Sequence, residues 1–453
     1  MFGIVKITAA LGRSSEPDHL PHAPTKRLGH RLAGSHAPVR KTLDGDTQRR
    51  GLFFAMNTFL SSETRLGWSI GVALGALTLM SGCASLETGS AASTGSRPEE
   101  VSASRTPLDV VAEFPNQQVT GVAVSKSGRV FANFPYWSDG HVVSVVELGP
   151  NGEQTPFPNG DWNRKTADPA DRFVCVQSVY VDDTDNLWIV DAGSPKQTGV
   201  VEGGAKLVKV ELATNGIAEV IPFNRAVAPE QSYLNDVRVD TRNNFAFLTD
   251  SNLGAIVVVD LRTGEARRLL ENDPSVKPEP NVSVRVDDKL LIDPEKDRPL
   301  AIASDGIALD REGGWLYYKA LTGRTLYRVK VEDLEAAMRS ENVELANRVE
   351  RVGQVPPSDG LAFHNGQLYV TSIEDGSIVR YDPVAKTSHI VAMDERLSWP
   401  DSFAVGPDGS LYVTTSQIHL TPRFNQGQTR VEKPYRVLRI AAKDLGGAVS
   451  VAE

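Results

Sequence analysis

The chain is poor in the residues that several common kinds of site require. It has 453 residues but only two cysteines, Cys83 and Cys175, and eight histidines. A disulfide framework is therefore excluded, and the histidines after residue 82 show no paired spacing typical of zinc. Aspartate and glutamate outnumber lysine and arginine, which gives a formal net charge of −9. This excess of negative charge argues against nucleic acid as a partner.

The chain also lacks recognisable catalytic and cofactor motifs after residue 82. No serine lies in a nucleophile motif there, and no nucleotide or flavin motif is present. Cys175 lies in the apolar run FVCVQSV, which is typical of a buried, unreactive thiol. The sequence therefore assigns no catalytic residue.

The apolar run near the start is too short to cross a membrane. It extends from Leu66 to Met80, 15 residues, whereas a spanning helix needs roughly 18 or more. The run follows Met56 and Arg65 and leads into Ser81-Gly82-Cys83. This end resembles a bacterial lipobox, in which the cysteine thiol takes the lipid. The alternatives are an ordinary cleaved signal and an uncleaved anchor.

These observations predict a division of the chain into four parts. The basic residues 1–55 are expected to lie outside the mature protein, and 56–82 to form a lipoprotein signal peptide. Residues 83–107 are rich in Ser, Ala, Thr and Gly, which predicts a flexible tether. Residues 108–453 are expected to fold. The predicted location is the bacterial cell envelope, held to the membrane only through Cys83, or the exterior if the cysteine is not lipidated.

Six similar strand-turn-strand units follow one another in the folded part. Each has an alternating apolar strand, a tight turn and a second strand rich in aromatic residues and valine. The units are VTGVAVSKSGRVFANFP (119–135), VQSVYVDDTDNLWIVDAG (176–193), LNDVRVDTRNNFAFLTDS (234–251), SDGIALDREGGWLYYKAL (304–321), SDGLAFHNGQLYVTSI (358–373) and PDSFAVGPDGSLYVTTS (400–416).

The spacing of the units predicts an all-β fold, a six-bladed β-propeller of four-stranded blades. Further hairpins, such as 255–270 and 377–392, lie between the units, and about 57 residues are available for each blade. The strand LDVVAEF (108–114) is expected to complete the last sheet. Only VEDLEAAMRSENV (331–343) has a convincing helical pattern. A pair of β-sandwiches explains six equivalent copies less well.

Aligning the first strands places several aspartates at equivalent positions. Because the innermost strands of a propeller line its axis, such residues converge on the central channel. The aligned position holds Gly121, Ser178, Asp236, Asp305, Asp359 and Asp401. The position before it holds Thr120, Gln177, Asn235, Ser304, Ser358 and Pro400.

Carboxylates gathered in a partly desolvated channel repel one another. Calcium, which binds through oxygen ligands, would neutralise them. The predicted ligand-binding residues are Gln177, Asn235, Asp236, Asp305, Asp359 and Asp401, and the same set without Gln177 forms the candidate metal ligands. Two alternatives remain open: direct recognition of a small cationic or polyol molecule, and aspartates that bond only to neighbouring backbone amides.

Several segments resemble the Yellow and major royal jelly protein family, in the family's order, from about 108 to 440. The matching segments are LWIVDAG (187–193), LNDVRVD (234–240) with FLTDS (247–251), GIALD (306–310) with WLYYKALTGRTLYRV (315–329), and LSWPDSFAV (397–405) with SQIHL (416–420). The resemblance implies a secreted six-bladed propeller with a ligand site in its channel. Some members are linked to dopachrome conversion and others bind biogenic amines. Insect members commonly carry disulfides, which this chain cannot form.

A more distant similarity to gluconolactonase-type propellers implies an enzyme. Their metal is held by a first-blade glutamate, further asparagines and an aspartate, and Asn235 and Asp305 fall where such ligands are expected. Thr120 replaces the glutamate, which removes a ligand and a negative charge. Three hypotheses result: an acidic channel that binds a small ligand or divalent cation, a calcium-dependent lactone or ester hydrolase, and an interaction scaffold that uses the propeller rim.

Overall fold

Six four-stranded antiparallel sheets follow one another in the part of the chain that a computed structural model describes, residues 106–340 and 342–446. The predicted upstream segment 1–55, the signal peptide 56–82, Cys83 and most of the tether lie outside these residues. The first strand, β1 (Asp109–Phe114), belongs to the last sheet. Five sheets therefore use consecutive strands, and one combines strands from distant parts of the chain.

The first three blades each consist of four strands in chain order. Blade 1 contains β2 (Gly121–Val124), β3 (Val130–Asn133), β4 (Val145–Leu148) and β5 (Gln154–Pro156). Blade 2 contains β6 (Val176–Val181), β7 (Asn186–Asp191), β8 (Lys206–Glu211) and β9 (Gly216–Pro222). Blade 3 contains β10 (Leu234–Asp240), β11 (Phe245–Asp250), β12 (Ile256–Asp260) and β13 (Ala266–Leu269).

Two small hairpins precede the last three blades. The hairpins are β14 (Arg285–Val286) with β15 (Lys289–Leu290), and β16 (Ile292–Asp293) with β17 (Arg298–Pro299). Blade 4 contains β18 (Ser304–Asp310), β19 (Trp315–Ala320), β20 (Thr325–Lys330) and β21 (Glu350–Gln354). Blade 5 contains β22 (Leu361–His364), β23 (Gln367–Ser372), β24 (Ser377–Asp382) and β25 (Thr387–Met393). Blade 6 contains β26 (Pro400–Val405), β27 (Leu411–Thr415), β28 (Tyr435–Ile440) and β1.

The innermost strands form a closed ring. The first strand of each blade contacts the first strand of the next, in the order β2, β6, β10, β18, β22 and β26. The ring closes where β26 contacts β2. The strand β1 pairs antiparallel with β28, from Asp109 opposite Arg439 to Phe114 opposite Tyr435. The prediction of a six-bladed all-β propeller with an N-terminal closing strand is confirmed.

Helical structure is sparse in the described residues. The α-helix, α1 (Val331–Arg339), lies between β20 and β21 within blade 4 and buries Leu334, Ala337 and Met338 in the core. Its bounds fall within the predicted 331–343. The 3₁₀ turns are Pro169–Asp171, Pro195–Gln197, Pro274–Val276, Leu345–Arg348, Ile418–Leu420, Pro422–Phe424 and Ala442–Asp444. No helix in this part of the chain is long and apolar enough to cross a membrane.

The repeated letters Ser-Asp-Gly have a packing explanation. A Cβ on Gly306 would lie 2.7 Å from the carbonyl oxygen of Asp359 in the next blade, and a Cβ on Gly360 would collide with the carbonyl oxygen of Asp401. Neighbouring inner strands therefore approach too closely for a side chain at this position. The hydroxyl of Ser304 lies 3.1 Å from the carbonyl oxygen of Asp250 and 3.0 Å from that of Ala255, both in blade 3, and can donate to either. The equivalent Ser358 hydroxyl has no hydrogen-bond partner among the described residues. The contact that both copies share is therefore the close approach at the glycine.

The segment between blades 3 and 4 covers part of one end of the propeller. Its apolar residues, which include Val286 and Leu291, pack with Leu321, Ile373 and Trp399 from the loops of blades 4, 5 and 6. We call the two hairpins of this segment, residues 285–299, the cap. The cap therefore lies against the ends of the strands that carry the channel residues.

Candidate functional site

The strand register corrects the predicted alignment by one residue in blades 1 to 3 and leaves Asp305, Asp359 and Asp401 in place. In blade 3 Leu234 pairs with Asp250, and in blade 4 Ser304 pairs with Ala320. Asn235 is therefore equivalent to Asp305, and Asp236 lies one residue further along. The sequence alignment matched Asp236 to Asp305 by residue type. In the structure Val237 and Ile307 occupy equivalent paired positions, and the residues two places before them are Asn235 and Asp305.

With this register, one residue of each blade forms a ring, which we call the channel ring. Its members are Thr120, Gln177, Asn235, Asp305, Asp359 and Asp401. All six are buried. Blades 1 to 3 supply neutral residues and blades 4 to 6 supply carboxylic acids, so the ring has a neutral half and an acidic half.

Two carboxyl groups of the acidic half bond directly to each other. The side chains of Asp305 and Asp359 share a hydrogen bond, which requires a proton on one of the two carboxyl groups. Burial, and then the charge of Asp359, raises the pKa of Asp305 well above its usual range. Burial raises the pKa of Asp359 to about 6. Asn235 Nδ2 donates to Asp305 Oδ1 at 2.5 Å, which joins the neutral half to the acidic half.

Asp401 and Asp236 complete the acidic cluster. Burial, and next the charge of Asp359, raises the pKa of Asp401 well above its usual range. Its Oδ2 has no hydrogen-bond partner among the described residues, while Ser402 donates to Oδ1. Burial also raises the pKa of Asp236, although Arg238 lies 3.9 Å away and opposes this effect. Arg238 also donates to the carbonyl of Leu361 in blade 5.

Lys319 is a channel residue that sequence reasoning missed. The equivalent position in the second strands holds Asn133, Val190, Thr249, Thr371 and Thr414. Lys319 is fully buried, and its ammonium group donates to the carbonyl of Ala320 at 2.7 Å. Burial lowers the pKa of Lys319 to about 7, although the charges of Asp305 and Asp359 oppose this effect. A comparison of second strands alone would have shown lysine where three other blades use threonine.

Trp399 packs in the loop core beside the cap and also contacts the acidic half. Its indole Nε1 donates to Asp359 Oδ2 at 2.7 Å. The residue has φ of +52°, a conformation that a bulky side chain rarely adopts. Its carbonyl accepts from Ser416 N at 3.1 Å, which fixes the turn. Strain of this kind persists where the surrounding structure enforces it, often at functional sites.

Gln177 lies apart from the carboxylates in a neutral hydrogen-bond network. Its Oε1 accepts from the hydroxyl of Tyr233 at 2.9 Å, and that hydroxyl accepts from Trp137 Nε1 at 2.5 Å. Cys175 Sγ lies 3.7 Å from the same hydroxyl. Burial raises the pKa of Cys175 to about 12, as expected for an unreactive thiol.

Other buried aspartates have a structural explanation. Asp191 accepts from the backbone amides of Val174 and Cys175 and pairs with Lys206 at 3.1 Å. Asp250 similarly pairs with Arg268 at 2.7 Å. Both lie at the ends of second strands. Each of them is hydrogen-bonded and also neutralised by a directly paired, buried cation.

A family model described as major royal jelly protein matches residues 174–444. The chain belongs to the major royal jelly protein family. This confirms the resemblance seen in the sequence segments. A comparison with curated proteins gives no match.

Several solved structures share similarity with this major royal jelly family member. Virginiamycin B lyase from Staphylococcus aureus is 13% identical with a TM-score of 0.41, over 68% of this chain and 82% of the lyase. Regucalcin from Agrobacterium tumefaciens, described as a calcium-binding protein, is 13% identical with a TM-score of 0.42, over 74% and 95%. A gluconolactonase from Xanthomonas campestris is 10% identical with a TM-score of 0.45, over 75% and 92%.

The arrangement of the acidic half offers oxygen ligands without forming a closed metal centre. Within residues 106–340 and 342–446, no group of three or more His, Cys, Asp or Glu side chains is placed to hold a metal ion. Asn235, Asp305 and Asp359 nevertheless follow one another through direct hydrogen bonds. Their oxygens suit a hard cation such as calcium. Such an ion would have to displace the proton that Asp305 and Asp359 share.

Proposed function

We propose that this major royal jelly family member binds a small organic cation in the acidic half of its channel. The observation that supports the proposal is that buried acidic groups in the channel outnumber the basic groups beside them. Four buried carboxyl groups lie together, and the cations that the structure places beside them are Arg238 and Lys319. Burial reduces the charge of Lys319 near neutral pH. The cluster must therefore hold protons or attract another cation.

An ammonium group suits this cluster chemically. It carries several N–H donors, and the acidic half presents carboxylate oxygens from three adjacent blades. Displacement of the proton shared by Asp305 and Asp359 would give an ionised pair around the ligand's positive charge. We therefore expect binding to release protons and to strengthen as the pH rises above about 6, the pKa of Asp359.

Calcium is the second candidate, because the donors are all oxygen atoms. Calcium in the channel would polarise a carbonyl group, as the lactonase hypothesis requires. That hypothesis depends on metal binding, and dopachrome conversion depends on binding of the organic ligand. The reaction is left unassigned until the class of cation is known.

Calorimetry tests the proposal directly. Dopamine and calcium chloride are titrated separately into the purified protein at pH 7.5 and pH 5.0, in two buffers with different ionisation enthalpies. We expect saturable dopamine binding at pH 7.5 with proton release, and binding at least about tenfold weaker in Asp359→Asn. The control Asp382→Asn changes an exposed turn in the same blade and should bind normally. Flat traces for dopamine at millimolar concentration would refute the proposal, and saturable calcium binding alone would replace it with the second candidate.

We also propose an envelope location, on the basis of the pattern that ends at Cys83. Replacement of Cys83 by serine should move the protein from the membrane fraction to the soluble fraction of cells. An unchanged distribution would contradict lipid attachment.

A further inference from the structure

A second set of equivalent inner-strand residues lies three positions after the channel ring in each blade. Each member pairs with an aromatic residue of the second strand, from Phe131 in blade 1 to Tyr412 in blade 6. The members are Ala123, Tyr180, Arg238, Ala308, Ala362 and Ala404. Four blades therefore carry a methyl group at this position, whereas blade 2 carries a phenol and blade 3 a guanidinium group.

Arg238 crosses the channel at this level. It belongs to the inner strand of blade 3, and its Nη2 donates to the carbonyl oxygen of Leu361 in blade 5 at 2.7 Å. Because blade 4 lies between these two blades, the side chain must pass in front of the inner strand of blade 4, where Ala308 leaves room. Its Nη1 donates to the carbonyl oxygen of Val237 at 2.7 Å. The guanidinium group is thus fixed to two blades.

Two further side chains hold this arginine in place. The ring of Tyr180 lies against Arg238, with 5.3 Å between the guanidinium carbon and the ring centroid. Arg311, which directly follows the inner strand of blade 4, donates to the Tyr180 hydroxyl at 2.8 Å and to the carbonyl oxygen of Val239 at 3.2 Å. It also lies 3.5 Å from Asp183 in blade 2. We call Tyr180, Arg238 and Arg311 the plug, since together they link blades 2 to 5 across the channel.

The plug places a positive charge beside the acidic half of the channel ring. Arg238 and Asp236 are both buried, and Arg238 Nη2 lies 3.9 Å from Asp236 Oδ2. Four carboxyl groups alone would favour a ligand with two positive charges. A ligand whose ammonium group lies at Asp305 and Asp359 would, however, bring a second cationic group against this guanidinium group if it extended towards the plug. Like charges repel strongly where little water is present.

We propose that Arg238 determines the specificity of the channel site, because it closes the channel beyond the acidic half and restricts the bound cation to one positive charge. The inference rests on the proposed binding of a small organic cation and defines the class of that cation. The ligand is an amine with one ammonium group, which faces Asp305 and Asp359, and its uncharged part extends away from the plug. Diamines and polyamines are excluded.

Two amines with the same carbon chain test this specificity by calorimetry. Hexylamine and 1,6-diaminohexane are titrated into the purified protein at pH 7.5. We expect the native protein to bind hexylamine at least about tenfold more tightly than the diamine. Arg238→Ala removes the guanidinium group and leaves Asp236 without its cation, so this variant should bind the diamine at least about tenfold more tightly than the native protein does. An unchanged ratio of the two affinities in the variant would overturn the proposal.

Two further variants separate specificity from stability. Arg268→Met is the matched control, because Arg268 is also a buried arginine beside a buried aspartate, Asp250, but lies on the outermost strand of blade 3. Its ratio of affinities should equal that of the native protein. Arg238→Met keeps the aliphatic part of the side chain and removes only the charge, so it should shift the ratio in the same direction even if Arg238→Ala does not fold. A merely structural arginine would lower the melting temperature without changing the ratio.

The proposed function and the role of Arg238 fail in different ways. Dopamine binding by the native protein, with the same amine ratio in the native protein and in the Arg238 variants, would refute only the role of Arg238. If the native protein binds neither dopamine nor hexylamine while Arg238→Ala binds the diamine, the proposed function is refuted and the plug stands as the barrier. Absence of binding to all of these proteins would refute both.

Discussion

The two halves of the channel ring differ in how their polar groups are satisfied. In the neutral half, the hydroxyl of Thr120 donates to the carbonyl of Gln177, and Asn133 donates to Thr120 and to the main chain of blade 2. In the acidic half, Asp305 and Asp359 share a hydrogen bond, and Asp236 and Asp401 are buried beside them with raised pKa values. Among the described residues, an unpartnered side-chain oxygen occurs on both sides, at Asn133 and at Asp401, so charge is what distinguishes the two halves. Neutral side chains are thus sufficient to join blades. The buried carboxyl groups exceed what the fold requires, which is the physical argument for a ligand on their side.

The largest expected effect tests whether blade contact itself depends on glycine. Gly360→Ala places a Cβ against the main-chain oxygen of Asp401, which cannot move without shifting blade 6. We expect a loss of at least about 3 kcal/mol in the free energy of unfolding, measured by urea denaturation.

Two further glycine variants calibrate this result. Gly121→Ala in the neutral half meets the side chain of Asn133, which can turn only by giving up its hydrogen bonds to Thr120 and blade 2. Because a side chain rather than the main chain must move, its cost should be smaller than that of Gly360→Ala, at about 1–3 kcal/mol. Gly160→Ala meets no atom within 4 Å and should be nearly neutral. Equal stability of the Gly360 and Gly160 variants would contradict the packing argument.

The second prediction concerns how the free energy of unfolding depends on pH, which should differ between the acidic and the neutral half of the channel ring. Because the pKa of Asp359 is raised to about 6, the folded state binds this proton more tightly than the unfolded state. The resulting stability is present below about pH 4 and is lost as the pH rises through about 6. Asp359→Asn removes this loss, so its unfolding free energy relative to the native protein should rise by about 1–3 kcal/mol between pH 4 and pH 7.5.

Urea denaturation at the two pH values measures this difference. Asp382→Asn is the control, because Asp382 accepts backbone bonds in an exposed turn and its pKa is lowered. Its relative stability should change little above pH 5. A pH-independent difference for Asp359→Asn would mean that the carboxyl group is not protonated in the folded protein near pH 5.

The third effect belongs to the neutral half. Tyr233→Phe removes the hydroxyl that joins Gln177 to Trp137 and should cost about 1–2 kcal/mol of unfolding free energy, with no change between pH 5 and pH 8. Tyr381→Phe is a matched control, since that buried hydroxyl makes a long 3.5 Å bond to the Val352 carbonyl. A strong pH dependence of the Tyr233 variant would show that the halves are coupled electrostatically.

The smallest effect concerns the lysine of the acidic half. Lys319→Thr gives blade 4 the residue found in blades 3, 5 and 6 and removes a cation that lowers the pKa of Asp359. Its removal raises the pKa of Asp359, so the comparison is made at pH 8.5, where Asp359 remains ionised. There we expect roughly threefold tighter dopamine binding, because repulsion between two cations is removed. Weaker binding in calorimetry would instead show that Lys319 positions the carboxylates.

The sequence was informative where a property repeats along the chain. Six similar units predicted the blades, and their apolar alternation predicted the inner strands. The closing strand was predictable because 108–114 has no partner nearby in sequence. The aligned position was correct in blades 4 to 6 but off by one residue in blades 1 to 3, because Asp236 was matched to Asp305 by residue type, whereas the strand pairing matches Asn235 to it.

The remaining site residues were not predictable, because they depend on segments that meet only in the folded chain. Trp399 reaches Asp359 from the next blade, and Arg238 reaches the main chain of blade 5 from blade 3. Lys319 resembles any lysine in a strand until its buried position is known. Charge and burial in three dimensions distinguish these residues from others of the same type.

The closing strand has a consequence for the order of folding. Asp109 and Arg439 face each other across β1 and β28 although 330 positions separate them. Five blades can form from strands that are consecutive in the sequence. Blade 6 is complete only when β26, β27 and β28, near the C-terminal end, pair with β1 near residue 109. Closure of so long a loop is slow, and β1 has an unpaired edge until then. The step that completes the ring is thus also the step at which the growing chain is most exposed to wrong pairing.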